Sequence, residues 1–197
     1  MIRFASEADI DRLAEIHGAA LPEDFLPQLG RGFLKDVFFP SALRPGNAFV
    51  LVAEEQESVD AFVVFARDSA ALTRDLRARP LRLAFAMLGA ALRRPSFVSQ
   101  VLAVIRGGRI ELSAPVPDLT ALPELYLIAT DPGRQSRGLG GALVHEGLRL
   151  LAEKGNHACV VKTSSPRARS FYHALGFQQI GTEIRGGRVL WLLHRKL

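Results

Sequence analysis

The chain has 197 residues, enough for one sizeable core with an elaboration, and its 48% hydrophobic and 23% charged content describes a soluble globular protein. One cysteine, Cys159, excludes an internal disulfide and suits a reducing, cytoplasmic setting, and the five scattered histidines have no metal-ligand spacing. The net charge of +5 and the pI near 10.0 come largely from arginine and suit either an anionic ligand or a solvated basic face.

In chain order, MIRFASEADIDRL lacks the basic start, apolar run and cleavage site of a signal peptide and reads as the first strand of a domain. Residues 2–5 read as that strand. Ser6 or Asp9 is the N-cap of a helix over 8–19, where Ile10, Leu13, Ile16 and His17 recur at helical spacing. A second helix is expected over 24–38, from Phe25 through Phe38, ended by Pro40 and Pro45-Gly46. Residues 47–54 and 59–67, separated by EQES, read as an antiparallel hairpin. The stretch at about 68–120 is then an insertion where a compact fold needs only a turn. ALTRDLRARP, LRLAFAMLGAALRR and FVSQVLAVIRGG look like two or three helices punctuated by Pro80 and Pro95. Arg82, Arg93 and Arg94 interrupt the apolar runs, so neither approaches the ~20 residues that span a bilayer. The insertion has three readings: helices that pack on the domain or a twin subunit and close over a pocket, a basic amphipathic surface for membrane or a lipid-linked substrate, or a nucleic-acid contact. The last is disfavoured because no aromatic platform is interleaved with the arginines.

Residues 123–155 hold the most informative stretch. A short apolar strand breaks at Asp131-Pro132, passes through a basic, glycine-bearing loop and runs into a helix over 139–154 that stops at Gly155-Asn156. A helix N-terminus carries unpaired N–H groups and about +0.5 of an elementary charge, so the loop feeding it is an anion site. Gly138 and Gly140 let a phosphate approach the backbone, with Arg134, Gln135 and Arg137 as donors around it. The loop lacks both Gly-x-Gly-x-x-Gly and Gly-Lys-Ser/Thr, which argues against dinucleotide and nucleoside-triphosphate sites. A buried strand HACVVKT, a helix ARSFYHALG capped by Gly176 and a final hairpin turned at Arg185-Gly186-Gly187 complete the chain. The alternation implies a mixed α/β sheet with helices on both faces.

Gln135-Ser136-Arg137-Gly138-Leu139-Gly140 resembles the acetyl-coenzyme A loop of the GNAT N-acetyltransferase superfamily, and ARSFYHALGF at 168–177 resembles that family's Phe-Tyr-x-x-Leu-Gly-Phe helix. The two motifs cover the last 75 or so residues; the first half agrees only in element order. The resemblance implies one GNAT-like α/β domain over 1–197. Its central mixed, mostly antiparallel sheet is flanked by helices, with the helical insertion between the third and fourth strands. It implies acetyl-coenzyme A as co-substrate and no metal. Residues 135–140 would hold the pyrophosphate, Ile128 and Thr130 would pair with pantetheine, and a backbone N–H at Thr130 or its neighbour would polarise the thioester carbonyl. Tyr172 would protonate the departing thiolate. Ser165 stands where many relatives carry Asn, and its hydroxyl would take part of that cofactor contact. Glu124 is either the carboxylate that deprotonates the amine or a plain strand-start charge.

The expected function is N-acetylation of a primary amine of a small molecule through a ternary complex, with an amino sugar or nucleotide-linked sugar suggested by the basic insertion. Acetylation of a protein N-terminus or lysine, a non-catalytic coenzyme A module and a membrane-surface protein are the alternatives, and a homodimer is compatible with the insertion.

Overall fold

A computed structural model describes residues 1–93, 109–112, 119–185 and 188–197. Eight strands form one sheet: β1 (Ile2–Phe4), β2 (Ala48–Glu55), β3 (Ser58–Ala66), β4 (Arg109–Leu112), β5 (Glu124–Thr130), β6 (Ala158–Thr163), β7 (Gln178–Arg185) and β8 (Arg188–Lys196). Their order is β1-β2-β3-β5-β6-β8-β7-β4. Every neighbouring pair is antiparallel except β5 and β6, which are parallel.

Helices cover both faces, which is why β2 and β3 are near-continuous apolar runs rather than alternating ones. The pleat sends Phe62 and Val64 to one face and Val63 and Phe65 to the other. On the first face pack α1 (Ile10–Ala20), the helical run from Phe25 to Ala42, α5 (Ser69–Arg77) and α6 (Pro80–Arg93). On the second lie α7 (Leu139–Glu153) and α8 (Pro166–Ala174), with Leu143, Leu148, Tyr172 and Phe177 against Phe65 and Cys159.

The expected single helix over 24–38 is a broken run: α2 (Phe25–Gln28), α3 (Arg31–Phe33), a π turn over Leu34–Phe38, and α4 (Phe39–Ala42). Gly30 breaks it with φ of 98°, a left-handed backbone that suits glycine. Pro40 does not end the run but lies in the first turn of α4. Having no N–H, it cannot bond the carbonyl of Asp36 four residues back. Arg79 and Arg82 of the insertion take over, their Nη1 atoms donating to Asp36 O at 2.9 and 3.2 Å. Two arginines that composition suggests for an anionic partner therefore dock the insertion onto the body of the protein.

The insertion begins with two helices as expected. Asp68 caps α5 by accepting from Ala71 N at 2.8 Å, and Pro80 opens α6. The expected third helix, at 97–108, lies outside the described residues, as does the turn at Gly186-Gly187. Purely helical the insertion is not: it also supplies β4, which pairs with β7 at the sheet edge through Arg109↔Ile184 to Leu112↔Gly181. Four residues reading RIEL are too few to show a period, so sequence patterning misses this strand. α6 is apolar on two sides: Leu83, Ala86, Met87 and Ala90 face the core, and Leu81, Phe85, Leu88 and Leu92 are exposed. Among the described residues, no helix is long and apolar enough to cross a membrane.

Two core positions yield tests. A Cβ on Gly147 of α7 would lie 2.0 Å from Phe65 Cε2, inside a ring stacked on Phe49. Gly147→Ala should cost about 1–3 kcal/mol through overpacking and lower Tm by roughly 2–4 °C per kcal/mol. Gly141→Ala, whose nearest new neighbour is Leu175 Cδ2 at 3.9 Å, should leave the calorimetric midpoint unchanged or raise it. His17 is fully buried among Phe38, Phe39 and Phe62, and burial pushes its pKa down to about 4. The unfolded chain binds this proton near pH 6.5 and the folded chain does not, so stability is full above that pH and falls on acidification towards pH 4, by about 3 kcal/mol in all. His194, also lowered by burial, acts in the same sense. Denaturant titrations at pH 7 and pH 5 should show the loss in the wild type and a smaller one in His17→Leu.

Candidate functional site

The site is built where β5 leaves β6. The β3–β5 register sets Val64 opposite Leu127 and Phe65 opposite Leu125, so Tyr126 is an extra residue, a bulge in β5. On the other side β5 pairs with β6 only at Glu124↔Val160 and Leu125↔Val161. Pairing ends where the bulge begins. Beyond it, β5 stays on β3 to Thr130 while its other edge is unpaired among the described residues. Asp131 N donates to Asp60 O at 2.8 Å, on the β3 side. Backbone groups alternate along a strand, so those of Ile128 and Thr130, an odd number of residues away, face the open wedge.

The loop closing the end of this wedge is held from below. Arg12 of α1 donates to Val59 O at 3.0 Å and to Asp131 Oδ2 at 2.5 Å. Gly133 N, at 2.9 Å from Oδ1, and Arg12 beside it hold the Asp131 carboxyl below the usual carboxylate range. Gln135 Nε2 reaches Thr130 O at 3.5 Å and Oε1 accepts from Arg167 Nη2 at 3.3 Å, tying the loop to β5 and to α8. Ser136 (φ 66°) and Gly138 (φ 78°) are both left-handed, the curvature that turns successive N–H groups into one concavity. Gly138 is the N-cap of α7 and no side chain caps the helix, so its first N–H groups stay open to an anion. Leu139 packs partly into the core and Gly140 sits above Ile128 and Phe171; an added Cβ there would make ordinary contacts at 3.5 Å. Arg137 pairs with Glu55 at 3.3 Å and Arg134 lies 3.6 Å from Asp60. Residues 128–140 thus run along the β6-facing edge of β5, through the loop and into the start of α7.

Ser165 is tied into the start of α8. Its hydroxyl accepts from Ala168 N at 3.3 Å as the N-cap of α8, and its own N–H donates to Thr163 Oγ1 at 3.1 Å. Tyr172 lies further along α8, 5% exposed, edge-on to Phe171 and Phe177. Burial raises its phenol above the ordinary range, and the charges of Asp24 and Cys159 add to this, so it stays protonated in neutral solution. Burial likewise pushes the Cys159 thiol up to about 12, consistent with an inert core residue.

Glu124 is not an isolated strand-start charge. Its Oε2 accepts from Ser69 Oγ at 2.6 Å and lies 3.9 Å from Lys162 Nζ. Lys162 in turn lies 3.3 Å from Oε2 of Glu183, whose side chain is 2% exposed. Four elements, α5, β5, β6 and β7, thereby converge on one polar cluster on the first face of the sheet. Sequence inspection passes over Ser69, Lys162 and Glu183, although Lys162 is the single charge of an apolar strand. Asp24, after α1, is also missed: its surface is largely open to solvent, yet desolvation by the chain around it raises its carboxyl, against the pull of Arg188.

Comparison with known proteins places this geometry. Residues 101–185 match the family model for FR47-like protein. A mycothiol acetyltransferase from Arthrobacter sp. (strain FB24) is 36% identical over 69 residues, 34% of this chain and 21% of that protein. One from Amycolatopsis mediterranei (strain U-32) is 37% identical over 67 residues, 33% and 22% respectively. The chain thus spans only about a fifth of the length of these curated relatives. Among solved structures, the ribosomal-protein-alanine N-acetyltransferase from Brucella melitensis (TM-score 0.61, 17% identity) covers 100% of this chain with 99% of its own. The PaiA N-acetyltransferase from Thermoplasma acidophilum in complex with coenzyme A (TM-score 0.63, 14% identity) covers 100% with 98%. An agmatine N-acetyltransferase mutant superposes with a TM-score of 0.64 at 18% identity, covering 100% with 99%. Such likenesses show a shared fold.

Gly138 is the position where loop shape depends on residue type. Gly138→Ala forces an L residue into the left-handed region at a cost of about 1 kcal/mol. Thermal unfolding should detect a drop of roughly 2–4 °C.

Proposed function

We propose that the chain is a GNAT-type acetyltransferase and transfers an acetyl group from acetyl-coenzyme A to a primary amine of a small molecule. The observation that carries this reading is the wedge between β5 and β6, opened at the Tyr126 bulge and closed by a loop and an uncapped helix start. Pantetheine would lie along the free edge of β5 against Ile128 and Thr130, extending the sheet by one strand of hydrogen bonds. Its pyrophosphate would meet the backbone of Gln135 to Gly140 at the start of α7, with Arg134, Arg137 and Arg167 on or beside the loop. Ser165, occupied as a helix cap, would offer its remaining hydroxyl capacity at the rim.

In the reaction, the amine nitrogen attacks the thioester carbonyl and an N–C bond forms while the amine proton passes to Glu124, directly or through one water. A backbone N–H on the free edge of β5 meets the oxyanion. The C–S bond then breaks and the thiolate takes the hydroxyl proton of Tyr172, whose raised pKa keeps it protonated until that moment. Solvent restores both groups.

The test is release of free thiol from acetyl-coenzyme A in the presence of agmatine, glucosamine or a peptide with an N-terminal alanine. Tyr172→Phe and Glu124→Gln should each lower kcat by about 10²-fold or more while KM for acetyl-coenzyme A changes little. Equal turnover in the wild type and Tyr172→Phe would remove the tyrosine from the mechanism, and preference for the peptide would favour a protein acceptor.

A further inference from the structure

We propose that Ser69, the first residue of α5 in the insertion, is a positioning residue for Glu124, so that the insertion is wired into the acid–base step. The proposal rests on the reading of Glu124 as the base.

A glutamate at the start of a strand has three side-chain torsions and two equivalent oxygens, and nothing in the strand itself decides which oxygen faces a substrate. Here Oε2 is taken: Ser69 Oγ lies 2.6 Å away and Lys162 Nζ 3.9 Å away. An ionised carboxylate only accepts, so the serine must donate its proton, and 2.6 Å is the length of a charge-assisted O–H···O⁻ bond. Oε1 has no hydrogen-bond partner among the described residues. The glutamate is therefore turned with one oxygen anchored and one available, at a side-chain exposure of 13%, enough to meet a small amine or one water.

The anchor is itself anchored. Asp68 caps α5 through Ala71 N, Thr73 Oγ1 donates to Ser69 O at 2.8 Å, and Asp75 of the same helix pairs with Arg44 at 2.5 Å. Lys162 cannot swing freely onto Oε1, because Glu183 holds its ammonium at 3.3 Å. The hydroxyl is thus delivered from a fixed point, as positioning requires.

The experiment uses the full chain, acetyl-coenzyme A and the acceptors agmatine, glucosamine and the alanine-initiated peptide, comparing wild type, Ser69→Ala, Ser69→Thr and Glu124→Gln. Ser69→Ala should lower kcat by roughly 10- to 100-fold with KM for acetyl-coenzyme A within about twofold of wild type, as expected for a misplaced base. Ser69→Thr, which keeps the hydroxyl, should recover most of the loss. A tie that merely docked the helix would change the unfolding midpoint and leave kcat alone. Wild-type turnover in Ser69→Ala, or no recovery in Ser69→Thr, overturns the proposal while the acetyl-transfer reading stands. An active wild type with an unimpaired Glu124→Gln removes the base and this role with it, and a wild type that releases no thiol with any acceptor overturns the acetyl-transfer reading.

Discussion

Everything proposed for the site depends on the extra residue at Tyr126. A parallel strand pair embedded in a sheet has no free hydrogen-bonding edge, and a buried backbone edge left without partners is costly. The bulge bends β5 away from β6 after Leu125, and the freed edge is then where, on the proposed function, a ligand would complete the ladder. Tyr126 is also stacked on Phe38 of the π turn, with ring centroids 6.1 Å apart, so the bulge is packed into place from the first face. A strand defect, an irregular helix and an open helix N-terminus are thus one connected arrangement.

The first face shows how irregular helices are made tolerable. Pro40 has no N–H to give Asp36 O, and Arg79 and Arg82 donate to that carbonyl from outside the run. That contact ties the insertion to the body of the protein, and Ser69 at the start of α5 reaches Glu124. The same segment that lies far from the family pattern in sequence therefore touches both the scaffold and the proposed base.

Much of this was legible in the sequence, and the reasons are specific. The helix over 139–153 and the strands at 124–130 and 158–163 have long apolar periods with glycine or proline at their ends, and their predicted bounds agree closely with the observed ones. The loop at 131–138 was legible because left-handed backbone selects glycine, although Ser136 adopts the same conformation without announcing it. Illegible were β4, too short to show a period, the break at Gly30, read through as helix, and the cluster of Ser69, Lys162 and Glu183. Those three residues are each ordinary in their own element, and only the pairing of strands far apart in the chain brings them together.

This division has a physical cause. The proposed donor half of the site is made of backbone: a free strand edge and a helix start, whose requirements are local and imprint a motif of glycine and apolar residues. The proposed acceptor half is made of side chains delivered by α5, β5, β6 and β7, and any set of elements that places a carboxylate beside its partners will serve. Sequence likeness to the mycothiol acetyltransferases accordingly covers about a third of the chain, while likeness in fold extends over all of it. A chain can keep the first half unchanged and rebuild the second by inserting two helices. The single hydrogen bond from Ser69 to Glu124 is where, on this account, the rebuilt part takes hold of the chemistry.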